Sequence, residues 1–200
     1  MSSFDVCYNW MMNNEDRARA CAIVPDPVSP KLTAGMTDAQ KQAEIDKAKG
    51  AHAISGINSY YYPADFARIA AAPQEERPPL VKAFYKFVFW NRWFDSLNSD
   101  EVAKRVLDAS VNMGPGTGVK LLQRAVNSSV NPGAPRIAED GGWGPATLQA
   151  ANSILDSYLV IEFKRVRLGY YQDIVQKHPD EAKYLGTQDK PGAWWIRATA

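Results

Sequence analysis

Glu15 closes the run Trp10-Met11-Met12-Asn13-Asn14-Glu15, so a carboxyl group emerges from an aromatic and apolar surface. Apolar surroundings disfavour the ionised form, which is how a Glu holds a proton near neutral pH. Such a group can protonate the leaving oxygen of a glycosidic bond, usually with a second carboxylate as nucleophile or water-activating base. Spacing alone carries this weakly, because a Glu near a helix end is ordinarily just solvated.

Asp108 and Asn112 stand four residues apart and share one face of a helix, where they could hold a polar ligand or merely brace a loop. Trp90, Trp93 and Tyr60-Tyr61-Tyr62 are aromatic surfaces of the kind that stack on sugars, whereas the spacing of Phe84, Tyr85 and Phe89 reads as core. In Asp140-Gly141-Gly142-Trp143-Gly144-Pro145, three glycines flank a Trp ahead of a proline-led helix. That pattern makes a tight loop with open backbone amides anchored by Trp143, a structural turn at the least.

Other chemistries find little support. His52 and His178 are the only histidines, and neither forms a Ser-His-Asp or Cys-His pattern. Cys7 and Cys21 lack nearby metal-ligating partners, so no metal site is expected. A continuous helix over residues 4–16 would hold their Cα atoms too far apart for a disulfide, and buried inert thiols are the better reading. Gly114 to Lys120 is superficially like a phosphate loop, but it lacks the Gly-Lys-Ser/Thr ending and a preceding strand. The 23 basic and 22 acidic residues leave a net charge of +1, which argues against nucleic acid as a partner. The first residues show no basic segment followed by a long apolar stretch, and no apolar run could span a bilayer. The expectation is a chain made in the cytoplasm without a secretory signal and without membrane insertion.

The elements that must position these residues are helices. Phe4, Cys7, Tyr8, Met11 and Met12 give an amphipathic helix that ends near Glu15, where a carboxylate opposes the helix dipole. Residues 25–58 are irregular around Pro25, Pro27 and Pro30, with a short polar helix from Thr37 to Lys49 read as a surface insertion. Val81, Phe84, Tyr85, Val88 and Phe89 mark the apolar face of a helix started by Pro78 and Pro79. Asn98 or Ser99 caps a helix that runs to Met113 and stops at Gly114-Pro115-Gly116. A further helix is expected from near Gly118, another from Pro145, and a long one over 155–177. No alternating strand pattern of useful length occurs, so the class is all-α.

The run Arg105 to Gly116, with Leu107-Asp108-Ala109-Ser110-Val111-Asn112-Met113-Gly114 at its centre, is followed by Leu121-Leu122-Gln123 and then Asp140 to Leu148. In that order these segments resemble the C-terminal half of glycoside hydrolase family 108, a peptidoglycan-binding region with the pattern F-D-x-A-V-N-x-G, L-Q, D-G-x-x-G-P-x-T-L. Arg165 to Tyr171 and Trp194-Trp195-Ile196-Arg197 resemble its later R-x-x-Y-Y and G-W-x-x-R features. In the N-terminal half, Glu15 falls where the family carries Glu-Gly-Gly, but Asp16 and Arg17 replace both glycines. Asp26-Pro27 matches an Asp-Pro segment, and Ala53 to Ile57 matches a T-x-x-G-I turn with Ala in place of Thr. Phe84-Tyr85 and Phe89-Trp90 match a Y-x-x-x-F/Y-W feature.

The resemblance implies a lysozyme-like helical domain, with a catalytic part over 1–98 and a peptidoglycan-binding-like part over 99–200. It implies cleavage of the β-1,4 bond between N-acetylmuramic acid and N-acetylglucosamine, with Glu15 as general acid and no cofactor. Asp26 or Asp16 would be the second carboxylate, and Ser55, Asn58, Asp108, Asn112 and Trp143 would meet the glycan. The partner would be peptidoglycan glycan strands at the bacterial cell wall, reached through phage lysis or specialised export. Two other readings stay open: a non-catalytic wall-binding module and a secretion-accessory protein.

Overall fold

Helix α1 (Phe4–Glu15) forms on the expected apolar spacing, and Phe4, Cys7, Tyr8, Met11 and Met12 are all buried. The computed structural model describes residues 1–131 and 133–200 of the chain. It divides into two compact units, one of residues 1–11 with 89–200 and the other of residues 12–88.

The second unit holds the last turn of α1, then strand β1 (Ile23–Pro25), helix α2 (Asp38–Lys49), strands β2 (His52–Ile54) and β3 (Ile57–Asn58), and helices α3 (Pro63–Ala70) and α4 (Arg77–Val88). The strands form an antiparallel sheet in the order β1-β2-β3, with Val24 opposite Ala53 and Ile54 opposite Ile57. Among the described residues no strand exceeds three residues, too short to show a period-two pattern, which is why a sequence reading passes over the sheet. Helix α2 opens on a capping box between Thr37 and Gln40 and buries only Ala48, as a surface insertion should. Helix α4 buries Val81, Phe84 and Tyr85.

The first unit continues through α5 (Arg92–Asp95), α6 (Asp100–Met113), α7 (Pro115–Ser129), α8 (Pro145–Asn152), α9 (Asp156–Lys177), α10 (Ala182–Leu185) and α11 (Ala193–Thr199). Ser99 caps α6, its side chain accepting from the Val102 amide. Helix α7 starts at Pro115, three residues ahead of the expected Gly118, because proline suits a first helical position where its missing N–H is not needed. Helices α6 and α7 pack on each other and on α9, which also carries α11. Cys7 and Cys21 are free, buried thiols, and burial, with the Asp100 charge adding to it, pushes Cys7 up to about 12.

At the centre of the first unit lies a buried ionic network. Asp108 on α6 is fully buried, and its carboxylate pairs with Arg167 of α9 at 2.7 Å and Arg197 of α11 at 3.5 Å. Arg167 also donates to the Arg197 carbonyl at 3.1 Å. Asp108 was expected to face a sugar; a side chain with no exposed surface cannot, and it instead ties three helices together. Removing one partner of a buried pair strands the other charge away from water. Asp108→Ala is therefore expected to lower stability by about 3–5 kcal/mol, read by urea unfolding of the whole chain; an unchanged midpoint would show that the network carries no stability.

Candidate active site

Just past the end of α1, the chain turns under the control of one carboxylate. Asp16 Oδ2 accepts from Ser55 Oγ at 2.6 Å and from the Cys21 amide at 2.8 Å, while Oδ1 accepts from the Ala20 amide at 3.1 Å. The Asp16 carbonyl accepts from the Arg19 amide at 3.0 Å and from Arg19 Nη1 at 2.8 Å. Arg19, Cys21 and Ser55 are the non-glycine residues held in the left-handed region among the described residues, with φ of 55°, 47° and 48°. Each such residue costs of order 1–3 kcal/mol unless its surroundings enforce it, and here all three are bonded to Asp16. Arg77 closes the far side, donating to the carbonyls of Cys21 at 3.0 Å and Ala70 at 3.2 Å.

Burial pulls the Asp16 carboxyl upward, but bonds from Ser55, Cys21 and Ala20, with the Arg19 charge, outweigh it and hold the group below its ordinary value of 3.8. Asp16 is thus an ionised clamp with its oxygens committed to the loop. That placement fits a positioning role better than that of a second carboxylate poised over a substrate.

Glu15 is partly buried, and its carboxylate lies against the turn between β2 and β3. Gly56 makes this approach possible. A Cβ built on it would overlap Glu15 Oε2 and stand 2.8 Å from Tyr85 Oη. The turn also needs φ +82° at that position, which a glycine adopts without strain. Tyr85 Oη donates to the Ser55 carbonyl at 2.7 Å, so α4 holds the turn from behind. Glu15 and Asp16 therefore converge on the neighbouring residues 56 and 55.

Asp26 follows β1 and is partly buried. Asn58 Nδ2 donates to its Oδ2 at 2.7 Å and to its carbonyl at 2.8 Å, and Asn58 Oδ1 accepts from the Tyr60 amide at 2.8 Å. Asn58 and Ser55 are buried, so both orient acids and turns and offer little surface to a ligand. Tyr60 is buried too; its hydroxyl bonds to Glu44 of α2 and accepts from the Lys31 amide, which leaves Tyr61 as the exposed ring of that cluster.

The remaining candidates lie in the first unit. Trp90 is core, stacked on Phe94 at 4.7 Å and donating to Asp95 at 2.7 Å. Trp143 is partly buried, edge-on to Phe94 at 5.2 Å, and lines a shallow pocket with Gln123, Asp140 and Thr147. The glycine loop beside it is stapled by buried Gln123, which donates to Asp140 at 2.8 Å and the Gly142 carbonyl at 3.0 Å, and accepts from the Gly141 amide at 2.8 Å. Asn112 is exposed on α6. Sequence reasoning missed Tyr85 and Gly56 as site residues, since an aromatic at core spacing and a glycine in a turn carry no mark of a neighbouring acid.

Residues 117–190 match a family model described as a predicted peptidoglycan domain. No curated protein sequence matches the chain. Among solved structures the chain is similar to SagA of Brucella abortus, with 19% identity over 89% of this chain and 87% of that one and a TM-score of 0.54. The fold is all-α, and the small sheet found among the described residues lies beside Glu15.

Two outcomes follow from this geometry. Gly56→Ala forces Glu15 and Tyr85 aside, and a displacement of this size is expected to reduce any Glu15-dependent activity about 10²-fold. Activity retained at the wild-type level, measured with the variant's unfolding midpoint, would dissociate Glu15 from the chemistry. Asp16→Asn is expected to cost about 1–3 kcal/mol at neutral pH through its charge-assisted bonds. Because folding depresses this carboxyl, its contribution is complete above the ordinary 3.8 and fades as pH falls through the lower folded value. The stability gap between the two proteins should therefore close in acid; a gap independent of pH would rule out the ionised clamp.

Proposed function

We propose that this protein is a peptidoglycan hydrolase that cleaves the β-1,4 bond between N-acetylmuramic acid and N-acetylglucosamine, with Glu15 as general acid. The observation that carries the proposal is the seating of the Glu15 carboxylate against the side-chain-free turn at Gly56, beside the Tyr85 hydroxyl. It stands at the last residue of α1, next in the chain to an Asp16 whose carboxylate is committed to the loop. The match of residues 117–190 to a peptidoglycan domain supports the wall as the place of action and the glycan strand as the partner.

In this reading the residues through 98 carry catalysis and residues 99–200 bind the wall. Asp26 is the second carboxylate, since Asp16 is occupied by the loop; Asn58 holds Asp26 in place, and Ser55 anchors Asp16. Trp143 and Asn112 are the first-unit groups offered to glycan.

A second reading has its own support. The peptidoglycan-domain match begins at residue 117 and takes in none of the residues around Glu15, where Asp16 and Arg17 stand in place of the glycine pair of glycoside hydrolase family 108. That pattern suits a wall-binding protein without turnover. The deciding assay is clearing of a peptidoglycan suspension, with new reducing ends counted in the products. Wild type should clear it and Glu15→Gln should lose about 10²–10⁴-fold in rate while remaining folded. Binding to the sacculus without clearing by either protein would favour the wall-binding reading.

A further inference from the structure

The buried ionic network of the first unit ends at the surface in an oriented amide. Arg167 Nη2, paired with Asp108, also donates to Tyr171 Oη at 3.2 Å. The Tyr171 hydroxyl has one hydrogen, and it goes to Asn112 Oδ1 at 2.5 Å. Burial raises the Tyr171 phenol, so it remains a donor at any ordinary pH. This fixes which way the Asn112 amide faces: its oxygen is taken by Tyr171, and its NH2 group is left without a partner among the described residues.

Beside that amide stands a set of aromatic rings. Tyr171 stacks on Trp194 of α11 at 4.9 Å and 14°, and Trp194 meets Tyr184 of α10 at 5.5 Å and 33°. Trp194 is partly buried and Tyr184 is 44% exposed. Gly192 permits this arrangement, because a Cβ there would overlap the Tyr184 carbonyl, and the Gly192 amide donates to the Leu185 carbonyl at 2.9 Å. Lys183 lies over the Tyr184 ring at 4.9 Å on a flexible stem that can yield to a ligand. The indole N–H of Trp194 likewise has no partner among the described residues.

A preoriented amide donor next to a rigid aromatic face matches one chemical class well. An acetamido carbonyl accepts from the amide while the apolar face of the pyranose ring covers the aromatic surface. We propose that Asn112, Trp194 and Tyr184 form a subsite for an N-acetylated amino sugar of a glycan strand, one that does not include Glu15. It rests on the reading of glycan as this protein's partner but not on Glu15 chemistry.

The test uses the full chain carrying Glu15→Gln, so that glycan is not consumed. Tri-N-acetylchitotriose is titrated by tryptophan fluorescence, and purified sacculi are assayed by co-sedimentation. Asn112→Asp keeps the acceptor for Tyr171 but removes the NH2 donor; Tyr184→Ala removes the exposed ring. Each is expected to weaken chitotriose binding about 10-fold or more while leaving the unfolding midpoint in place. The sacculus arm then tells whether the sugar is met in peptidoglycan or only as free oligosaccharide. Parent-like affinity for both ligands in both variants would overturn the subsite. The two proposals fail separately: absence of clearing by wild type sinks the hydrolase, whereas loss of binding in these variants upholds the subsite whether or not wild type clears.

Discussion

The candidate site depends on one carboxylate that is not the proposed acid. Asp16 gathers the 16–21 loop and the Ser55 turn onto its two carboxylate oxygens, left-handed Cys21 and Ser55 among the residues held, while its carbonyl takes left-handed Arg19. Remove its charge and Cys21 and Ser55 lose what enforces their conformations, because neither is a glycine that would adopt them freely. A Gly-Gly pair reaches tight turns by its own conformational freedom; here an Asp-Arg pair stands in that position, and hydrogen bonds supply the constraint.

The first unit repeats this logic in a drier setting. Asp108 organises α6, α9 and α11 through two arginines, and its effect extends outward through Tyr171 to an exposed asparagine. Buried ion pairs add little net stability against an apolar core of the same volume, but they fix directions. The direction fixed here is that of the Asn112 amide. In both units an acid fixes its neighbours through bonds to several segments of chain: Asp16 the turn at Ser55, and Asp108, by way of Arg167 and Tyr171, the Asn112 amide.

This division of roles explains which residues stand out in the sequence as candidates. As candidates, Glu15 stands out in the sequence because it ends an apolar helix, and Asn112 because it shares a face with Asp108. Their partners do not. Tyr85 falls on the core face of α4, and only the fold brings its hydroxyl to the Ser55 carbonyl. Ser55 and Asn58 were read as sugar ligands, yet both are buried and spend their polar atoms on Asp16 and Asp26. A polar residue near a candidate acid looks the same in a sequence whether it faces the acid or the substrate.

By itself the sequence determined the longer helices, because a period near 3.6, proline at first turns and serine at a cap are local properties of the chain. It also determined that Cys7, Met11, Phe84 and Leu121 would be inside, since burial follows that periodicity. Only the tertiary structure decided the sheet, whose strands of two or three residues hold too few side chains to show a pattern. It alone decided that Gly56 meets Glu15 and that Arg167 meets Asp108, contacts spanning 41 and 59 positions of chain. Such contacts arise when separate apolar faces pack and bring their polar neighbours with them, and no local rule encodes which neighbours those will be.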